Sequence, residues 1–200
     1  MNTSICPDNR RSNKAIPCLL QRAAALYQHE WAIISKNDKL TFEELEEKTQ
    51  AVAQYFLDKG IQQNDRVVVS LENSTELVIT LLALMRISAV ACPINPKFPT
   101  EIKSKVLKLL DTSWIISPYE PASTHHCIEV SSIAELLKRP TLLKSSAHID
   151  YCSVSPNSII LTSGSTGMPK AAAFSYKQHY FSALGSNEFV SLNAGDRNLL

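Results

Sequence analysis

Along residues 16–138, short apolar or β-branched runs alternate with amphipathic stretches that carry helix caps, and this alternation constrains the fold more than any other feature. Residues 16–27 place Leu19, Leu20, Ala23, Ala24 and Tyr27 at helical spacing. Residues 32–35 are short and apolar, and Asn37-Asp38 reads as a turn before Leu40. Thr41 with Glu44 forms a capping box, after which Leu45, Thr49, Val52, Ala53, Phe56 and Leu57 hold one face until Gly60 stops the helix. Satisfying the free N–H groups of a helix start accounts for Thr41 and Glu44 without any chemistry. Residues 66–71 read as a β-branched strand, Ser74 opens an apolar helix to about Ile87, and residues 89–93 make the next strand. Thr100 is expected to cap a helix through Leu110, residues 114–117 return to the sheet, and Ser132 with Glu135 is expected to start a short helix near Ile133. The order β, α, β, α, β with short connections specifies an α/β fold: a doubly wound, largely parallel sheet with helices on both faces.

Composition narrows the partners. Twenty Lys and Arg against nineteen Asp and Glu leave a net charge of +1, which favours neither nucleic acid nor an anionic membrane. The most hydrophobic segment, residues 77–94, is interrupted by Thr80, Arg86 and Ser88 and ended by Pro93, so it reads as a buried helix and strand rather than a stable membrane insertion. Five widely spaced cysteines without a Cys-x-x-Cys pair fit a reducing, cytoplasmic compartment. His125-His126-Cys127 invites a metal reading, but adjacent residues do not converge on one ion unaided, and a loop before a strand is expected. Residues 1–14 are polar and lack an apolar h-region, so a disordered start is expected, with residues 15–200 folded. Residues 138–157, with Pro140 and Pro156, form the best linker. Residues 195–200 begin another strand-like run, as in the N-terminal piece of a longer protein.

Residues 159–170 carry the chemistry. The apolar run Ile159-Ile160-Leu161 stops abruptly in Thr162-Ser163-Gly164-Ser165-Thr166-Gly167-Met168-Pro169-Lys170. A polar, glycine-punctuated loop at the carboxyl end of a buried strand is where open α/β sheets place ligands. Gly164 and Gly167 let the backbone curl so that successive N–H groups converge on an anion. Thr162, Ser163, Ser165 and Thr166 add hydroxyl donors and Lys170 adds positive charge, a combination that suits a polyphosphate. The pattern is not a Walker loop, because Pro169 precedes the lysine and Ala171 follows it. Ser175 with Gln178 reads as a capping box for the next helix, so residues 171–174 fit a short strand and the loop runs strand to strand. On that helix Tyr176 and His179 stand three residues apart, on one face, where packing accounts for them as well as a ligand does.

The segment 162–170 resembles the signature of the adenylate-forming superfamily, which includes acyl-CoA synthetases, nonribosomal peptide adenylation domains and luciferases. Leu40-Thr41-Phe42-Glu43-Glu44-Leu45 resembles the family's first core motif, and residues 83–96, ending Ala-Cys-Pro-Ile-Asn-Pro, resemble its second. Within the superfamily, Ile94-Asn95-Pro96-Lys97-Phe98-Pro99 and residues 169–179 resemble the o-succinylbenzoate–CoA ligases of menaquinone synthesis, with Phe174 departing from the His frequent there. The resemblance implies an ATP-dependent acid–CoA ligase: a carboxylate attacks the α phosphate of ATP to give an acyl-adenylate and pyrophosphate, and CoA then displaces AMP. It implies that Thr162, Ser163, Gly164, Ser165, Thr166, Gly167 and Lys170 bind the β and γ phosphates. It implies ATP, CoA and a small carboxylic acid as partners, with Mg²⁺ held by an acidic residue outside this chain. It leaves self-association open and assigns no catalytic residue here, since the catalytic lysine, adenine pocket and most of the acyl pocket lie beyond Leu200. The chain would then be the front part of the AMP-binding large domain; the alternatives are another acyl- or aryl-CoA synthetase, or a truncated nucleotide-binding module without turnover.

Overall fold

The chain builds a two-stranded ribbon and a six-stranded mixed sheet whose faces are both covered by helices. The computed structural model describes residues 16–36, 38–118, 125–138, 155–163, 169–191, 193 and 195–197. In chain order the elements are α1 (Leu19–Leu26), β1 (Trp31–Ile34), β2 (Lys39–Thr41), α2 (Phe42–Lys59), β3 (Arg66–Val69), α3 (Thr75–Arg86), β4 (Val90–Pro93), α4 (Thr100–Leu110) and β5 (Trp114–Ser117). They continue with β6 (His126–Glu129), α5 (Val130–Lys138), β7 (Pro156–Thr162), β8 (Lys170–Ser175) and α6 (Tyr176–Phe189). The large sheet has the order β6-β5-β3-β4-β7-β8, parallel from β6 to β7, with β8 antiparallel at the edge.

The three valines that end β3 show why the sheet is doubly covered. Val67, Val68 and Val69 are all buried, although a strand turns alternate side chains to opposite faces. Val67 and Val69 join Phe56 of α2, Ile79 and Leu84 of α3 and Ile133 of α5 in one core. Val68 joins Val90, Cys92 and Ile115 beneath Val106 and Leu110 of α4 on the other face. Each fully buried Phe56, Ile79 or Leu84 side chain contributes about 1.5–3 kcal/mol. Between α2 and α3, the guanidinium of buried Arg86 forks onto Glu46, its Nη1 and Nη2 donating to Oε1 and Oε2 at 2.6 and 2.5 Å.

The local signals set most helix ends. Thr41 Oγ1 accepts from Glu44 N–H while Thr41 N–H donates to Glu44 Oε2, and Gly60 ends α2 in the left-handed region at φ 98°. Ser74 caps α3 by accepting from Leu77 N–H at 3.2 Å. Three expectations are corrected. Pro99 rather than Thr100 is the N-cap of α4, with no side-chain cap bond, because its backbone at φ −54° and ψ 149° leaves Thr100 already helical. Helix α5 starts at Val130, so Ser132 and Glu135 lie inside it; Val130, Ile133 and Leu137 carry the apolar period back to the end of β6. His126 and Cys127 belong to a strand rather than a loop, since β6 pairs with β5 and His126 stacks 4.8 Å from Trp114. The expected disordered start at residues 1–14, the linker between Lys138 and Ser155, and residues 198–200 lie outside the described residues. Pro156 already belongs to β7, at its first position, where a missing N–H is tolerated.

Candidate functional site

The loop expected to run strand to strand does so. β7 and β8 pair antiparallel from Pro156–Ser175 to Thr162–Lys170, so the glycine-rich segment joins the carboxyl end of β7 to the start of β8. Thr162 Oγ1 lies 3.5 Å from the carbonyl of Lys170, which fixes the two edges of the loop opposite each other. Thr162, Ser163 and Lys170 are exposed, and Lys170 makes no ion pair among the described residues. Gly164, Ser165, Thr166 and Gly167 lie outside the described residues. The structure thus brings together three of the seven candidates, two hydroxyls and one ammonium, at one end of the sheet.

A cleft that the sequence reading did not single out opens at the same end. Its volume is about 590 Å³, and Val69, Leu71, Leu77 and Ile94 give it an apolar floor while Glu72 and Lys97 stand at its rim. It sits past the carboxyl ends of β3 and β4, where the chain leaves β4 and returns through α4 to β5 on the far side of β3. Such a reversal of strand order leaves a crevice between loops that diverge to opposite faces. Ile94 N–H donates to Val69 O at 2.9 Å, tying the cleft's two walls together, and Asn95 Oδ1 accepts from Lys97 N–H at 2.8 Å to shape the following turn. Glu72 and Lys97 approach to 3.7 Å but are both exposed, so their attraction contributes little. An apolar floor under a polar rim suits an organic group that is neither fully charged nor fully greasy. Because β4 neighbours β7, cleft and loop share one end of one sheet.

The ionisable groups nearby divide into anchored and silent ones. The Tyr176 hydroxyl accepts from Leu19 N–H at 3.0 Å and donates to Pro17 O at 3.2 Å, and burial raises its pKa. It therefore anchors α6 to the start of α1. His179, one turn on, meets a different element: its Nε2 shares a hydrogen bond with Ser158 Oγ of β7 at 2.7 Å, and partial burial lowers its pKa below the ordinary value. Tyr176 and His179 thus do not converge on one cleft. Cys92 in β4 is buried, which pushes its thiol up to about 12 and makes it a packing group rather than a nucleophile. The described residues hold no group of three or more His, Cys, Asp or Glu side chains placed to share an ion; a nucleotide-borne Mg²⁺ needs only one or two carboxylates besides the phosphates. No helix among them is long and apolar enough to cross a membrane.

The arrangement matches a known family. The family described as AMP-binding enzyme matches residues 20–200. This chain belongs to the AMP-binding enzyme family. A 2-succinylbenzoate–CoA ligase of Bacillus cereus is 29% identical over 185 residues, covering 92% of this chain and 37% of the relative. The N-terminal subdomain of NpsA from Klebsiella oxytoca superposes with a TM-score of 0.72 at 29% identity, covering 80% of this chain and 42% of that one. O-succinylbenzoate coenzyme A synthetase (MenE) of Bacillus subtilis, solved in complex with ATP and magnesium ion, superposes with a TM-score of 0.77 over 89% of this chain and 48% of that one; at 23% identity this likeness speaks for the fold alone. The chain spans well under half the length of the curated 2-succinylbenzoate–CoA ligases it matches.

Proposed function

We propose that this chain is the phosphate-binding front part of the large domain of an ATP-dependent acid–CoA ligase, acting in the cytoplasm, and that its acid is 2-succinylbenzoate. The observation that carries the reading is the hairpin: a hydroxyl- and glycine-rich loop held between Thr162 and Lys170, at the carboxyl end of a mostly parallel sheet, in a chain of the AMP-binding family. Thr162, Ser163, Gly164, Ser165, Thr166, Gly167 and Lys170 would orient the β and γ phosphates, so that a carboxylate attacks the α phosphate and pyrophosphate leaves. Adenylyl transfer needs positioning and charge neutralisation more than covalent help, which is what hydroxyls, backbone amides and one ammonium supply. Mg²⁺, when bound, would offset further phosphate charge, and CoA would then displace AMP to give the thioester. The substrate rests on relatives at 29% identity that are named for it.

A second reading, a ligase for another aryl or acyl acid, is favoured by Phe174, which stands where a His is frequent in the 2-succinylbenzoate enzymes. Pyrophosphate release by the intact protein, measured with CoA across 2-succinylbenzoate, benzoate and hexanoate, separates the two. The first reading expects kcat/KM for 2-succinylbenzoate to exceed the others by on the order of 10² or more, because buried polar contacts discriminate strongly. Equal or greater efficiency with hexanoate would reject 2-succinylbenzoate as the substrate, and no release with any acid would reject the ligase.

A further inference from the structure

The loop stands at the tip of a hairpin that pairs with the rest of the sheet at one position and packs on the core through Ile159 and Leu161 of β7. The register of β7 with β4 is the single pair Ala91–Ser158, and across β7 the same Ser158 faces Phe174 of β8. Between Pro156 and Ser158 the β7–β8 register shifts, a bulge at the base of the hairpin. His179 lies over that point: its Nε2 is 2.7 Å from Ser158 Oγ, and its ring centroid is 5.7 Å from that of Phe174. Ser158 is only 4% exposed. Thr162, four residues on, stands about 13 Å from Ser158 along an extended strand, so a tilt of about 4° at the base moves the loop by about 1 Å. Displacements of that size in a reacting geometry are costly.

We propose that Ser158 and His179 form a clamp that positions the phosphate loop by holding the base of the β7–β8 hairpin against α6. This rests on the reading of that loop as the phosphate site. His179 is a positioning residue here and touches no substrate. Bulges of this kind re-aim side chains next to functional sites, and the one before Ser158 is in the place to do so. Tyr176 fixes the first turn of α6 to α1, so the clamp one turn later joins the hairpin to a helix that is itself tethered.

The clamp is also sensitive to acid. β7 carries no ionisable side chain, β8 carries only Lys170 at its far end, and α6 carries Tyr176, Lys177, Tyr180 and Glu188 besides the histidine. Burial alone lowers the pKa of His179, with no charged neighbour contributing. Its folded value therefore lies below the unfolded one, so the stability it contributes is present above pH 6.5 and is lost as pH falls through the folded value. Protonation places an unmatched charge in the packed base, and α6 loosens from β7.

The test measures ATP affinity and turnover of the intact protein from pH 7.5 to 5.5 in wild type, Ser158→Ala, Ser158→Thr and His179→Gln. Glutamine keeps a hydrogen-bonding amide but does not titrate, and comparing it with wild type cancels the protonation of ATP itself. Ser158→Ala should raise the KM for ATP at pH 7.5 by about fivefold, the worth of one hydrogen bond, with recovery in Ser158→Thr. His179→Gln should keep wild-type affinity at pH 7.5 within about twofold and lose affinity less than wild type at pH 5.5. Wild-type KM in Ser158→Ala, or the same acid loss in His179→Gln as in wild type, overturns the clamp. If wild type binds no ATP at any pH, the phosphate-site reading fails, and hydrogen exchange then decides the clamp. Protection of residues 159–162 and 170–173 should fall on acidification in wild type but not in His179→Gln; equal behaviour overturns it.

Discussion

Lys170→Ala tests the proposed phosphate site most directly, because the structure gives this lysine little else to do. It opens β8 on an exposed position and makes no ion pair among the described residues, so removing its side chain should change stability by no more than about 0.5 kcal/mol. Its worth toward ATP depends on solvent. Two unit charges about 4 Å apart attract by about 1 kcal/mol in bulk water and about 4 kcal/mol at an effective dielectric constant of 20. Because Lys170 is exposed, the lower figure applies to the bound nucleotide, and ATP affinity should fall by about fivefold. Charge grows on the leaving pyrophosphate in the transition state, where losing an aimed donor is worth on the order of 10² in rate. The expected pattern is therefore a small loss in Kd and a much larger one in kcat, with the urea midpoint unchanged. Pyrophosphate release at saturating acid and ATP, followed beside a denaturation curve, reads all three. Unchanged turnover would refute the assignment of the loop, and a loss of turnover matched by a loss of stability would refute the separation of charge from fold.

Two further outcomes follow from buried groups. Glu46→Gln leaves the guanidinium of Arg86, 4% exposed, without its carboxylate and should cost about 3–5 kcal/mol by urea denaturation. A cost under about 1 kcal/mol would show that the pair is well solvated. Cys92, with its thiol pushed up to about 12 and its side chain buried, should resist iodoacetamide at pH 8 in the native protein and react after unfolding; rapid native labelling would contradict that burial.

The helices were legible where their signals are local. A capping box involves four consecutive residues, and both Thr41–Glu44 and Ser175–Gln178 close as the sequence implies. The same pattern at Ser132–Glu135 fails because Val130 packs against the core and draws the helix start back to the end of β6, a tertiary contact that outweighs a local preference. Thr100 fails because Pro99 before it, with its φ held at −54°, already supplies the turn into the helix. Strand positions were legible from the apolar runs, but not their order. Nothing local states that β5 returns to the far side of β3, and the cleft between Leu71 and Ile94 exists only because it does. The Ser158–His179 contact, twenty-one residues apart, is equally invisible until β7 and β8 take their register.

The loop's connectivity explains why such distant contacts bear on the site. A phosphate loop that opens a helix has that helix's first N–H groups and dipole as a fixed anion seat. The loop after Leu161 joins two antiparallel strands instead, and the next helix, α6, begins only after six residues of β8 have carried the chain to the opposite end of the sheet. On the proposed function, phosphate charge is then met by the loop's amides and hydroxyls, the Lys170 ammonium and Mg²⁺ when bound, and the aim of the loop groups is set by the strands that carry them. Thr162 and Lys170 face each other across the last register pair of the hairpin, so their spacing is held by strand pairing. Their position relative to the rest of the sheet is set along β7, where Ile159 and Leu161 pack on the core, and, on the proposed clamp, at the other end, where Ser158 meets Ala91, Phe174 and His179. In a strand-to-strand phosphate loop, precision at the tip is therefore a property of the strands and of the base that holds them.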